Sequence, residues 1–88
     1  MPKVVNLKIL GEVQNVNLRF DASRYARQYK LKGWIRNESN GSVRCCLVGD
    51  DQEIANFISW LKSCFRISSV EADEMEIDAE YNGFEIRY

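Results

Sequence analysis

Leu31-Lys32-Gly33-Trp34-Ile35-Arg36-Asn37-Glu38-Ser39-Asn40-Gly41-Ser42-Val43-Arg44-Cys45-Cys46-Leu47-Val48-Gly49 is the stretch that decides the fold. Leu31 to Asn37 and Ser42 to Val48 both read as strands. Between them lie Glu38-Ser39-Asn40-Gly41, and Asn-Gly is a strong short-range hairpin signal because both residues tolerate positive φ. A helical pattern stands on each side of this hairpin. From Arg19 to Lys30 the apolar positions Ala22, Tyr25, Ala26 and Tyr29 fall at i, i+3, i+4, i+7, one face of an amphipathic helix, with Asp21, Arg24, Arg27, Gln28 and Lys30 opposite. After Gly49, Asp50-Asp51-Gln52-Glu53 has the form of a capping box. It opens a second helix with Ile54, Phe57, Ile58 and Leu61 at the same spacing.

Working outward, Val4 to Leu10 alternates loosely and reads as a first strand that stops at Gly11. Val70 to Ile77 is a strand with broken alternation, the mark of a bulge or an edge. Phe84, Ile86 and Tyr88 alternate with Glu85 and Arg87 in a short final strand. The order strand–helix–strand–strand–helix–strand, plus a terminal strand, predicts an α+β ferredoxin-like sandwich (βαββαβ) with two helices on one face of an antiparallel sheet. At 88 residues with no repeat, linker or low-complexity segment, residues 1–88 form one expected domain.

Composition narrows the chemistry. The chain has no histidine, which removes Ser-His-Asp and Cys-His nucleophile systems and every histidine-containing zinc site. Cys45, Cys46 and Cys64 form an odd set without C-x-x-C spacing. Neighbours on a strand face opposite sides of the sheet, so Cys45 and Cys46 do not share a metal, and buried or half-buried free thiols are expected. No metal and no cofactor are expected. No apolar run approaches the roughly 20 residues of a membrane span, and Met1-Pro2-Lys3-Val4 shows no signal-peptide hydrophobic region. The expectation is a cytoplasmic monomer. Net charge is −1, yet Lys3, Lys8, Arg19, Arg24, Arg27, Lys30, Lys32 and Arg36 crowd the first part of the chain. Its final part is mostly acidic. The basic part favours a small anion.

Two stretches carry the function. Gly11-Glu12-Val13-Gln14-Asn15-Val16-Asn17-Leu18-Arg19 reads as a strand running through a tight polar loop into a helix that begins with an arginine. Such a loop aims backbone N–H groups and a guanidinium at one spot, which suits a phosphate. Asn37 places a lone amide at the end of a strand that can lie beside the loop. A small enzyme acting on a phosphate ester or anhydride follows.

These residues carry a resemblance to the acylphosphatase family over essentially the whole chain. One family signature, G-x-V-Q-G-V-x-F-R, is matched by Gly11, Val13, Gln14, Val16 and Arg19. The second is met by Gly33, Trp34, Ile35, Asn37, Gly41, Val43 and Gly49, and the ending from Gly83 to Tyr88 resembles the family's last strand. The resemblance implies hydrolysis of the carboxyl–phosphate anhydride of acyl phosphates, without metal or covalent intermediate. It implies that Arg19, with main-chain N–H groups of Gln14, Asn15, Val16, Asn17, Leu18 and Arg19, holds the phosphoryl group. It also implies that Asn37 orients the attacking water. The chemistry agrees with the missing histidine. A carboxylate leaves readily, and phosphoryl transfer through a loose transition state needs positioning and charge stabilisation more than acid–base groups.

Three positions depart from the pattern. Asn15 stands where the family has glycine, Glu12 where many members carry a cation, and Leu18 where an aromatic is usual. Asn15 and Glu12 keep a second reading open: a catalytically silent relative that still binds an anion or serves as an interaction module. A nucleic-acid partner is not expected, because Val4–Leu10 and Ser42–Val48 lack the aromatic residues on which RNA-recognition sheets stack bases. Trp34, Trp60 and Phe57 are expected to pack rather than to form a ligand platform.

Overall fold

In a computed structural model that describes residues 2–14, 16–75 and 81–88, the elements run β1 (Lys3–Gly11), α1 (Leu18–Gln28), β2 (Lys32–Asn37), β3 (Val43–Gly49), α2 (Asp51–Cys64), β4 (Ile67–Met75) and β5 (Phe84–Arg87). The sheet order is β4-β1-β3-β2-β5. In the order β4-β1-β3-β2 these strands pair antiparallel with one another and form the expected ferredoxin-like sandwich with both helices. The terminal strand departs from a purely antiparallel sheet. β5 pairs parallel to β2, Ile35 opposite Ile86, so the five-strand sheet is mixed. Alternation within Phe84–Tyr88 is the same for either direction, and the direction is set by where the preceding chain re-enters the sheet.

Alternation sorts the strands into a helix-facing and an open face. Val5, Leu7 and Ile9 of β1, Val43, Cys45 and Leu47 of β3, Ile35 of β2 and Phe84 of β5 are buried. They pack with Leu18, Ala22 and Ala26 of α1 and Ile54, Phe57 and Leu61 of α2. The α1 stripe is shifted from the sequence expectation. Leu18 and Ser23 are buried, whereas Tyr29 is 53% exposed. α1 stops at Gln28 because Lys30 takes φ 57, Lys30 N–H bonds Arg27 O and Leu31 N–H bonds Ala26 O, a Schellman ending. Tyr25 lies half-buried, stacked on Trp60 with ring centroids 4.7 Å apart.

α2 begins with the predicted capping box. Asp50 accepts from Glu53 N–H at 2.8 Å and Glu53 Oε1 accepts from Asp50 N–H at 2.9 Å. β4 is an edge strand that starts earlier than Val70. Its irregularity is one extra residue, Ser68, because Leu10 pairs with Ser69 while Gly11 pairs with Ile67. The predicted end of this strand at Ile77 lies outside the described residues.

The two glycines that open the family-like motifs have steric reasons. Gly11 and Gly33 both sit at φ +135. A Cβ at Gly11 would lie 2.3 Å from Arg66 O, and one at Gly33 would lie 1.9 Å from Cys46 O. At both points one strand's backbone is pressed against the next, leaving no room for a side chain.

Candidate active site

β1, β2 and β5 run in the same direction, so their C-terminal ends emerge at one end of the sheet. The loop after β1 and the start of α1 lie at that end, while α2 begins at the other. The two helix starts differ in kind. In α2 the capping box engages the N–H groups of Asp50 and Glu53. At α1 the N-cap residue Asn17 makes no side-chain capping hydrogen bond. The first-turn N–H groups of α1 therefore keep their positive end of the helix dipole for a ligand. Arg19 lies in that turn.

Arg19 is held from one face. Its guanidinium carbon lies 5.1 Å from the centre of the Tyr88 ring. Stacking on a ring occupies a face of the guanidinium and leaves its in-plane N–H donors free for phosphate oxygens. Arg36 pairs with Arg87 across the parallel β2–β5 ladder, so the next residues, Asn37 and Tyr88, leave the sheet side by side. This places Arg19 and Asn37 at the same end. Asn37 is half-buried and pairs with Val43 in the hairpin. Its Oδ1 is buried with no hydrogen-bond partner among the described residues. An acceptor in that state is suited to a water proton.

Gln14 joins the halves in a way not read from the sequence. Its side-chain nitrogen donates to Glu38 O at 2.7 Å and to Ser42 O at 2.8 Å, tying the loop to the hairpin immediately after Asn37. Its side chain is therefore committed to the hairpin, and only its main-chain N–H is left for an anion. Val16 and Asn17 are exposed on the loop, and Leu18 is fully buried, so its side chain belongs to the core and its N–H to the helix start. The expectation for Asn15 lies outside the described residues. Glu12 is turned toward Arg66, with Oε2 3.7 Å from Nε and both side chains largely in solvent. Tyr88 was read only as part of the last strand. Its place over Arg19 depends on the parallel pairing of β5.

The cysteines do not serve the site. Cys45 and Cys46 are buried, and burial pushes the Cys45 thiol far above its ordinary range, with Cys46 adding to the effect. Cys64 is exposed, contrary to the expectation of a buried or half-buried thiol, because it ends α2 on its solvent side. Among the described residues no three His, Cys, Asp or Glu side chains gather where a metal would bind, and no helix is long and apolar enough to cross a membrane. Phe57 is fully buried, and Trp34 lies half-buried on the open face with Arg36 and Arg87 guanidinium carbons 5.1 and 5.0 Å from its ring centre.

Comparison with known proteins bears on the family and the fold. The sequence model of the acylphosphatase family matches residues 5–86. A protein from Thiobacillus denitrificans named acylphosphatase is 37% identical over 86 residues, covering 97% of each chain. Another of that name, from Geotalea uraniireducens, is 34% identical over 83 residues and 91% of each chain. The solved structure of an acylphosphatase from Coxiella burnetii superposes with a TM-score of 0.87 at 26% identity, over 98% of this chain and 93% of that one.

Proposed function

The chain belongs to the acylphosphatase family, and on that premise we propose that it hydrolyses acyl phosphates to a carboxylate and phosphate, with Arg19 and Asn37 as its catalytic residues. The phosphoryl group sits on the uncapped start of α1 and its preceding loop. Main-chain N–H groups between Gln14 and Arg19 and the in-plane donors of Arg19 receive its oxygens. Asn37 Oδ1 accepts one hydrogen of a water and aims the water's lone pair at phosphorus, opposite the acyl oxygen. As the water oxygen bonds to phosphorus, the bond to the acyl oxygen breaks and its electron pair leaves on the carboxylate. The water's proton passes to a phosphate oxygen, so RCO–OPO3(2−) and H2O become RCOO− and H2PO4−. Charge spreads over the equatorial oxygens in the transition state, where fixed N–H donors act most strongly. No step requires a group that titrates near neutrality.

The observation that carries this reading is the Oδ1 of Asn37, buried with no partner among the described residues, at the same sheet end as the uncapped helix that bears Arg19. It supports catalysis over the silent-relative reading, since a purely anion-binding module has no use for a lone acceptor beside its cradle. Glu12, one of the two changes that favoured a silent relative, is turned toward Arg66. The proposal extends to a cytoplasmic monomer acting on a small molecule without nucleic acid. Three cysteines, none of them in a disulfide, suit a reducing compartment. The test is hydrolysis of benzoyl phosphate by the purified protein. Turnover in the wild type with at least a hundredfold loss in a folded Arg19→Gln variant supports the assignment. A folded wild type without turnover defeats it.

A further inference from the structure

Gln14 sits at the junction of the two halves of the site, and its side-chain amide is engaged by the hairpin. Two carbonyl oxygens lie 2.7 and 2.8 Å from its amide nitrogen. Only an NH2 group can donate to both, so the orientation of the amide is set by its partners. Those carbonyls belong to the pair that closes the β2–β3 turn: Glu38 N–H donates to Ser42 O, and Gly41 N–H to Glu38 O. The turn is braced by other contacts as well. Asn40 Oδ1 accepts from Ser42 N–H at 3.0 Å and from Ser42 Oγ–H at 2.6 Å. The Glu38 carboxylate lies 3.4 Å from Arg36 and 2.9 Å from Arg44. The hairpin end therefore holds its shape without Gln14, and what Gln14 immobilises is the loop.

We infer that Gln14 is a positioning residue that fixes the register between the phosphate cradle and the water-holding Asn37. The inference rests on the function proposed above. The loop leaves β1 at Gly11, anchored there by Glu12 N–H on Arg66 O at 3.0 Å, and enters α1 at Leu18. Between those anchors the buried Val13 side chain packs the loop on the core, and the Gln14 clamp ties it laterally to the strand that ends in Asn37. Phosphate affinity depends on Arg19 and on N–H groups local to the loop. Attack depends in addition on where the cradle stands relative to Asn37, and a misplacement of about 1 Å in such an arrangement costs on the order of a hundredfold in rate. Loss of the clamp is thus read in kcat and spares binding.

The experiment replaces Gln14 by methionine, which keeps length and volume and removes both donors, with Gln14→Asn, one methylene short, as a second variant should the first fail to fold. Benzoyl phosphate hydrolysis gives kcat and KM, inhibition by inorganic phosphate gives Ki, and side-chain amide NMR signals of Asn37 are followed as inorganic phosphate is added. The expected result is a 10- to 100-fold fall in kcat with KM and Ki within about threefold of wild type. The phosphate-induced shift of the Asn37 signals, present in the wild type, is expected to vanish in the variant. A folded variant with kcat within threefold of wild type overturns the inference, as does a matched fall of kcat and phosphate affinity. If the wild type has no turnover, the proposed function fails, and the NMR arm still decides. Loss of the shift in Gln14→Met upholds the coupling, and its persistence overturns it.

Discussion

Asn37→Ala should remove catalysis and leave the stability of the fold nearly unchanged. Asn37 ends β2 opposite Val43, and its Oδ1 is buried without a partner among the described residues. The water it holds in the proposed mechanism satisfies that acceptor in solution, so the wild type carries no unpaired-acceptor cost. Truncation to alanine gives up that water and the packing of a short, half-buried polar side chain, worth about 1 kcal/mol or less. Since 1 kcal/mol moves the Tm of a domain this size by about 4–8 °C, Tm should stay within a few degrees of the wild type. Loss of one group positioned for the transition state costs about 10²–10³ in kcat. The assays are thermal unfolding by circular dichroism in phosphate-free buffer and benzoyl phosphate hydrolysis on the same preparation. A Tm lowered by more than about 4 °C with activity kept would show that Asn37 serves the hairpin, and refute the reasoning.

Without histidine, kcat is expected to vary less than about threefold between pH 5.5 and 7.5, and a sharp bell centred near neutrality in a pH–rate profile would count against the mechanism. Tyr88→Ala should raise KM for benzoyl phosphate by about two- to fivefold, the equivalent of an exposed cation–π contact of about 0.5–1 kcal/mol; an unchanged KM in steady-state assays means Arg19 is held by other contacts. Asp50→Ala removes half of the α2 capping box and should cost about 1 kcal/mol in urea unfolding with kcat unchanged, because that helix start lies at the far end of the sheet. Burial raises the Cys45 thiol in the folded chain, so its contribution to stability is complete below the unfolded-state value of about 8.5 and is lost as pH rises beyond it, by about 1.4 kcal/mol per pH unit. Cys45→Ala should flatten the alkaline limb of a stability–pH curve by that slope, and identical slopes in the two proteins would contradict it.

Helix and strand identities were legible because they depend on spacing along the chain. The capping box at Asp50 and Glu53 is formed within four residues, and the hairpin at Asn40-Gly41 by one turn, so both appear as read. The stripe on α1 was legible only in part. Tyr29 matched the period, but the Schellman ending at Lys30 turns the chain away and leaves that ring in solvent. The broken alternation after Val70 pointed to a bulge, and the bulge lies at Ser68, where β4 must adjust to the backbone of Gly11.

By itself the sequence determined the ferredoxin-like layer order and the absence of histidine, and it singled out the 14–19 loop, Arg19 and Asn37 as the candidate site. Each of these follows from residue type and from distances of a few positions along the chain. Tertiary structure alone decided that β5 runs parallel to β2, bringing the Tyr88 ring over Arg19, that the Gln14 amide is spent on the carbonyls of Glu38 and Ser42, and that Asn37 Oδ1 is buried with no partner among the described residues. These features join residues 24 to 69 positions apart, as Gln14 to Glu38 and Arg19 to Tyr88 do. The pattern of side chains along a strand is the same whichever neighbour the strand meets, so only the packed sheet settles which groups face each other.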